Sequence, residues 1–250
     1  MAKQASIIKL EGTIDDITFV KTADGYRAHK VKRVSASAMA SSPAFQRTRE
    51  NMAEFGRAAK ANRLLREAFS NLLTNAKGKR LISRLAKEMM KVIKADVVNP
   101  RGSRTVTNGQ LGFLQGFEFN SGASIRETLS VILNTSIDRA TGIMSVDVPS
   151  LVPTETIKAP EGATHYRIVC GAAEVNFDLE EYKTDIKQST YLPWTAATAT
   201  ALSLTTNAPA ASTHPLFLVV GIQFFQQVNG TYYALKSGEH NALSLVKVDA

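Results

Sequence analysis

Between residues 79 and 96 the apolar and basic positions separate as they do on an α-helix. At 100° per residue, Leu81, Ile82, Leu85, Ala86, Met89, Met90, Val92 and Ile93 share one broad arc, and Arg80, Arg84, Lys87, Lys91 and Lys94 take the opposite one. The apolar arc must bury. The basic row, five cations over about 21 Å at the helical rise of about 1.5 Å per residue, is left for solvent or an anionic partner.

The same period extends upstream. Ser42 followed by Pro43 predicts a helix start, with serine as the cap and proline at the first helical position. Phe45, Met52, Phe55 and Ala59 define its expected buried stripe. Past Asn62, however, Leu64, Leu65, Ala68, Phe69, Leu72 and Leu73 fall on an arc rotated by about 120° from that stripe. The rotation predicts either a break near Ala61 and Asn62 or two halves that meet different partners. Residues 74–78 then read as a turn, and Asn99-Pro100-Arg101-Gly102 as a stop.

On both sides of this helical stretch, residues 42–96, the period changes to two. Residues 14–21 and 26–34 flank Thr22-Ala23-Asp24-Gly25, a hairpin signal in which Gly25 supplies a positive φ. Ile14 and Val20 point to one side of its first strand and Ile17 and Phe19 to the other, so neither face is cleanly apolar and the hairpin needs a partner sheet. Residues 35–42, SASAMASS, read as a linker. From Arg104 onward short β-runs are expected at 105–107, 113–119, 128–133, 142–148, 165–177, 201–204, 216–228, 231–235 and 243–248, with Asn229-Gly230 as the clearest hairpin turn. The predicted class is α+β: an N-terminal β-hairpin and helical segment (residues 1–103) followed by an antiparallel β-sandwich of immunoglobulin-like or jelly-roll-like form (residues 104–250). The Ala/Thr/Ser-rich residues 195–213 suit an exposed loop or interface arm.

Charge adds a division that the pattern does not show. Residues 1–125 hold 22 Lys and Arg against 10 Asp and Glu, and residues 126–250 hold 8 against 12, so the halves carry +12 and −4. Such asymmetry offers head-to-tail complementarity between copies of one chain. Cys170 is the single cysteine, which excludes an intrachain disulfide framework and a cysteine metal cluster. The beginning of the chain lacks a long apolar stretch, and no run reaches the length of a bilayer span; the expected location is the cytoplasm or a particle released from it, with no membrane partner.

Catalytic signals are sparse. His29, His165, His214 and His240 stand in four separate contexts, and no GxSxG, HExxH, Walker or GxGxxG motif occurs. No cofactor or metal is expected. Glu180-Glu181 with Asp185 reads as a solvated acidic turn, and Trp194 as a packing anchor at the sandwich edge. The basic row at Arg80, Arg84, Lys87, Lys91 and Lys94 is compatible with phosphate tracking, but no aromatic platform or helix-turn-helix signature accompanies it.

Two stretches, Ile8-x-Leu10-x-Gly12-Thr13-Ile14-x-Asp16-Ile17-Thr18-Phe19 with Asp24-Gly25, and Phe45-x-Arg47-Thr48-Arg49-Glu50-Asn51-x-x-Glu54-Phe55-Gly56, resemble a family of uncharacterised Bacteroidota proteins with an N-terminal hairpin and an arginine-rich helix. The resemblance covers roughly the first half and implies no activity. It implies that hairpin and helix form one unit, in which Arg47, Arg49, Glu50 and Glu54 are spaced for an ion-pair ladder within or between subunits. The expectation is therefore a non-enzymatic structural protein that assembles with itself into a filament, tube or phage-like particle, with inter-subunit contacts through Ile14, Ile17, Phe19, Val20 and those four charged residues. The alternative is a nucleic-acid-binding protein of no sequence preference, using the basic face.

Overall fold

The computed structural model describes residues 1–250 except Met1, Ser6, Lys32, Arg33, Lys77 and 236–239. It divides into two compact units, Met1–Arg49 and Glu50–Ala250. The expected division at 103 does not mark a unit boundary, because the helices between 50 and 94 share one apolar core with the sheet that follows them.

The first unit contains four short strands, β1 (Ala2–Lys3), β2 (Gly12–Ile14), β3 (Ile17–Thr22) and β4 (Gly25–Lys30), in the antiparallel order β1-β4-β3-β2. The turn at Ala23-Asp24 joins β3 to β4, with Gly25 at φ 107°, as the Asp-Gly signal predicts. The predicted first strand is interrupted at Asp15, whose φ of 53° starts a separate turn and yields two strands from one. The predicted second strand reached Val34; β4 ends at Lys30, and Lys32 and Arg33 lie outside the described residues. Residues 35–42 are not a linker. They form α1 (Ala36–Ser41), because the Ser35 hydroxyl accepts from the Ala38 amide and caps a run rich in alanine.

A single 3₁₀ turn at Pro43–Phe45 leads into α2 (Gln46–Ala68), followed by α3 (Ser70–Ala76) and α4 (Leu81–Lys94). The boundary between the units falls inside α2. This helix does not break at Ala61 and Asn62; it runs unbroken to Ala68. Its buried face is Glu54, Ala58, Ala61, Asn62, Leu64, Leu65 and Ala68, one face at helical spacing that widens towards the C-terminal end, whereas Met52, Phe55 and Ala59 face outward. The misreading has a cause: two polar residues sit on the buried face, each with its hydrogen bonds made. Glu54 accepts from the Gly102 amide at 2.8 Å, and Asn62 donates to the Ile82 carbonyl at 2.8 Å. Of the predicted arc, helix α4 buries Leu81, Leu85, Met89, Val92 and Ile93, leaves Ala86 and Met90 part-buried, and turns Ile82 outward at 53% exposure.

Beyond α4 lie a 3₁₀ turn (Leu111–Leu114), β5 (Phe117–Glu118), α5 (Ile125–Thr128), β6 (Asn134–Asp138), β7 (Ile143–Val148), α6 (Pro153–Thr156), β8 (His165–Asn176), β9 (Glu181–Gln188), β10 (Leu192–Pro193), β11 (Leu202–Asn207), β12 (Leu216–Val228), β13 (Thr231–Leu235) and β14 (Leu243–Asp249). The expected strand at 105–107 is loop, and 128–133 holds the last residue of α5, a single β-bridge from Leu129 to Ile157 and loop; of the run expected at 113–119, Phe117–Glu118 form β5 and the residues before them a 3₁₀ turn followed by a turn. Strands β6 and β9 were not foreseen, since both are polar and lie at sheet edges. Within the Ala/Thr/Ser-rich 195–213, β11 meets the run expected at 201–204 and carries it on to Asn207.

A seven-stranded sheet runs β10-β8-β12-β14-β5, with β9 on β8 and β13 on β12, and a second sheet runs β11-β7-β6. The two pack as a sandwich: Tyr166, Ile168, Cys170 and Ala172 of β8 and Leu216, Leu218, Val220 and Ile222 of β12 share a core with Met144, Val146 and Val148 of β7. The alternate residues, Val169, Ala173, Val175, Phe217 and Val219, share another with α2, α3 and α4. Strands β8 and β12 are thus buried on both faces, which is why they read as unbroken apolar runs. Gly171 allows the helical layer to approach, since a Cβ there would lie 2.9 Å from Leu72 Cδ1. The Asn229-Gly230 turn has φ 50° and 82°, the left-handed pair that a tight hairpin requires.

Candidate interaction surfaces

The strands and short helices of the first unit bury none of their described residues. Ile7 is 100% exposed, Ile14 61% and Ile17 46%, while Phe19 and Val20 are half-buried. A four-stranded sheet normally dries at least one face against a core, and here no described strand residue is buried while the cross-strand pair Ile14 and Ile17 stays in water. In the second unit Met52 and Phe55 add a second apolar stripe at 60% and 57% exposure.

The arginine-rich segment is engaged differently from the expected ladder. Arg47 is exposed, and the Arg49 guanidinium donates to the carbonyls of Met39 and Ser42 at 2.8 and 2.9 Å, closing the turn between α1 and α2. Glu50 pairs with Arg101 at 3.4 Å, and the buried Glu54 holds the Gly102 amide. Arg57 donates to the carbonyls of Arg104 and Gly102. Glu50, Glu54 and Arg57 therefore grip the loop at 101–104. Asp96 organises the start of that loop: its carboxylate accepts from the amides of Val98, Asn99 and Thr105 and from the Asn99 side chain, bonds that hold its pKa far below the usual carboxylate range against the opposing effect of desolvation.

The basic row on α4 is not uniform. Arg80 is the N-cap, at φ 53°, and is exposed, as are Lys87, Lys91 and Lys94. Arg84 is half-buried: it donates to the Glu118 carbonyl and lies 5.1 Å from the Phe117 ring centroid, and burial lowers its pKa in spite of the Glu118 charge. Lys91 pairs with Glu88 at 2.7 Å. The Glu180-Glu181 turn is tied to α2, with Glu180 pairing Lys60 at 2.7 Å and Arg63 at 3.2 Å.

A feature missed by sequence reasoning is a cleft of about 1070 Å³ bounded by β5, α5, residues 129–135 and β14. Glu118 lies on it. Its Oε1 accepts from the Ile125 amide at 3.2 Å, and its Oε2 is buried with no hydrogen-bond partner. Burial pushes this carboxyl upward, and the Ile125 amide, the Ser244 and Ser124 hydroxyls and the Arg84 charge pull it part of the way back. Val131, Leu133 and Val246 supply apolar wall, and Ile132 stands 83% exposed at the mouth. The one available signal is Glu118 itself, a carboxylate between Phe117 and Phe119 and the single acid among residues 101–125.

Comparison with known proteins returns no matching family model, no matching curated protein and no matching solved structure.

Proposed function

We propose that this chain is a non-enzymatic structural subunit that assembles with copies of itself into a filament, tube or phage-like particle, with the first unit as its connector. The observation that carries this reading is the first unit, whose strands and short helices bury no described residue and which exposes Ile14 and Ile17 on its sheet and Ile7 in the loop before β2. Water-exposed isoleucines paired across β2 and β3 and in the loop before them favour association, and the outward Met52 and Phe55 supply a second surface for it. Two different surfaces joined between successive copies make a heterologous contact, which propagates as a ring or an open polymer. The +12 and −4 halves would orient such copies head to tail.

The second reading, nucleic-acid binding, draws on Arg80, Lys87 and Lys94, exposed along α4. It is the weaker one, because Arg84 is engaged with β5 and Lys91 with Glu88, which leaves a short and interrupted track. Light scattering over a range of protein and salt concentrations, with absorbance at 260 nm, separates the two. Assembly without bound nucleic acid supports the first; a monomer that co-purifies with nucleic acid supports the second.

A further inference from the structure

We infer that the outer edge of β13 pairs antiparallel with β13 of a second copy, across a two-fold axis at Tyr233, and so joins two seven-stranded sheets into one. This goes beyond the assembly reading above, because the contact lies wholly in the second unit and closes a pair of copies.

The hairpin decides which groups β13 turns outward. Val228 and Thr231 flank its two-residue turn and form a hydrogen-bonded pair, and bonded and non-bonded pairs alternate from there, so Gln227–Tyr232 and Phe225–Ala234 are non-bonded. Strand β12 agrees: the Gln227 amide donates to Thr164 Oγ1 at 2.7 Å and the Phe225 carbonyl accepts from the Thr164 amide at 2.9 Å, both on its β8 side. Tyr232 and Ala234 therefore aim amide and carbonyl at the open edge, where no group of the described residues meets them. An open edge of this kind accepts an added strand. The Tyr232 ring stacks on Tyr191 at 4.0 Å, which fixes the strand, while Ala234 is exposed and Tyr233 is 57% exposed.

Charge and register select an identical strand as the occupant. Residues 216–235 contain no Lys, Arg, Asp or Glu, so two copies meet without like charges opposite one another. Other edges of the same sheet are guarded: β10 ends in Pro193, which has no amide to give, and β9 carries Glu181, Lys183, Asp185 and Lys187, with Asp185 accepting from the Asn207 amide of β11. Strand β13, Thr-Tyr-Tyr-Ala-Leu, has neither proline nor charge. Setting Tyr232 opposite the second copy's Ala234 places Tyr233 opposite itself, and the two-fold axis then repeats the pair as Ala234 opposite the second copy's Tyr232. In each of these pairs the two residues exchange both N–H···O bonds, which uses every outward amide and carbonyl of Tyr232 and Ala234. The Tyr233 rings meet at a non-bonded pair, where facing side chains come closest.

The test uses the 250-residue chain carrying Tyr233→Cys. The two-fold pairing sets the substituted position opposite itself with Cα atoms about 4.5 Å apart, within disulfide reach. Cys170 does not compete, because it is buried with its thiol pushed up to about 12. Mild oxidation is expected to give one band at twice the chain mass on a non-reducing gel, reversed by reductant. Thr231→Cys, on the same strand and exposed, would face the second copy's Leu235 and should stay unlinked. Equal linking of both variants would mean random collision and would overturn the pairing, as would an unlinked Tyr233→Cys. If that unlinked protein still scatters light as an oligomer, assembly through other surfaces stands; if the parent chain is monomeric at every concentration, both readings fall. A second variant needs no cysteine. Ala234→Pro removes an amide that β12 does not use and one hydrogen bond from each symmetric pair, so the dissociation constant of the pair is expected to rise about 30-fold while the circular dichroism stays that of the parent. An unchanged dissociation constant would overturn the pairing.

Discussion

Replacing Ile14 and Ile17 together by serine separates the contribution of the first unit to folding from its contribution to association. The two side chains are 61% and 46% exposed, together about one fully exposed isoleucine. If assembly covers them, each copy buries the equivalent of one isoleucine, worth about 2 kcal/mol, and the double variant should weaken the contact about 30-fold. Folding should barely respond, since substitutions at exposed positions without special roles stay within about 0.5 kcal/mol. Sedimentation velocity across a dilution series reads the first effect, and a thermal melt followed by circular dichroism, under conditions where the parent is dissociated, reads the second. A melt lowered by several degrees with an unchanged dilution profile would refute the reasoning, because it would place these isoleucines in the packing of a single chain.

Other outcomes follow from the second unit. Gly171→Ala puts a Cβ within 2.9 Å of Leu72 Cδ1 and 3.0 Å of Val219 Cγ2, so denaturant unfolding should show a loss of about 1–3 kcal/mol from overpacking. Glu54→Ala leaves the Gly102 amide without its acceptor, and the same assay should show a loss of about 1–3 kcal/mol. Asp96 has a folded pKa depressed below its unfolded value, so its contribution is complete above the ordinary carboxylate range and is lost as the pH falls through the folded value. The difference in melting temperature between about pH 6 and about pH 2 should therefore shrink in Asp96→Asn. Removing Arg84 by Arg84→Met should loosen β5 and α4, read as faster amide exchange at Phe119, whereas Lys87→Met should not, because Lys87 is exposed.

The parts of the fold that were legible in the sequence are those where one periodicity acts alone. Helix α4 sorts cleanly because all its buried positions are apolar, and β8, β12 and β14 are visible as long branched and aromatic runs. Helix α2 misleads, because Glu54 and Asn62 lie inward on hydrogen bonds to residues 20 to 48 positions away while Met52 and Phe55 lie outward. Local pattern carries no information about such distant partners. Strand β9 hides for a related reason: an edge strand in contact with water keeps a polar sequence, EYKTDIKQ, and is a strand only because β8 pairs with it. The basic row was legible as a row, but the difference between Arg84 and its neighbours depends on Phe117 and the Glu118 carbonyl, more than 30 residues along the chain. The Glu118 cleft, assembled from three separate segments, was not legible at all.

The central claim is that the chain assembles with itself, and multi-angle light scattering of the purified 250-residue chain across a wide concentration range at low salt tests it most directly. The account predicts a mass that climbs above that of the 27.1 kDa chain as concentration rises and falls back when salt screens the contacts between oppositely charged halves. A constant mass of 27.1 kDa at every concentration and salt would contradict it.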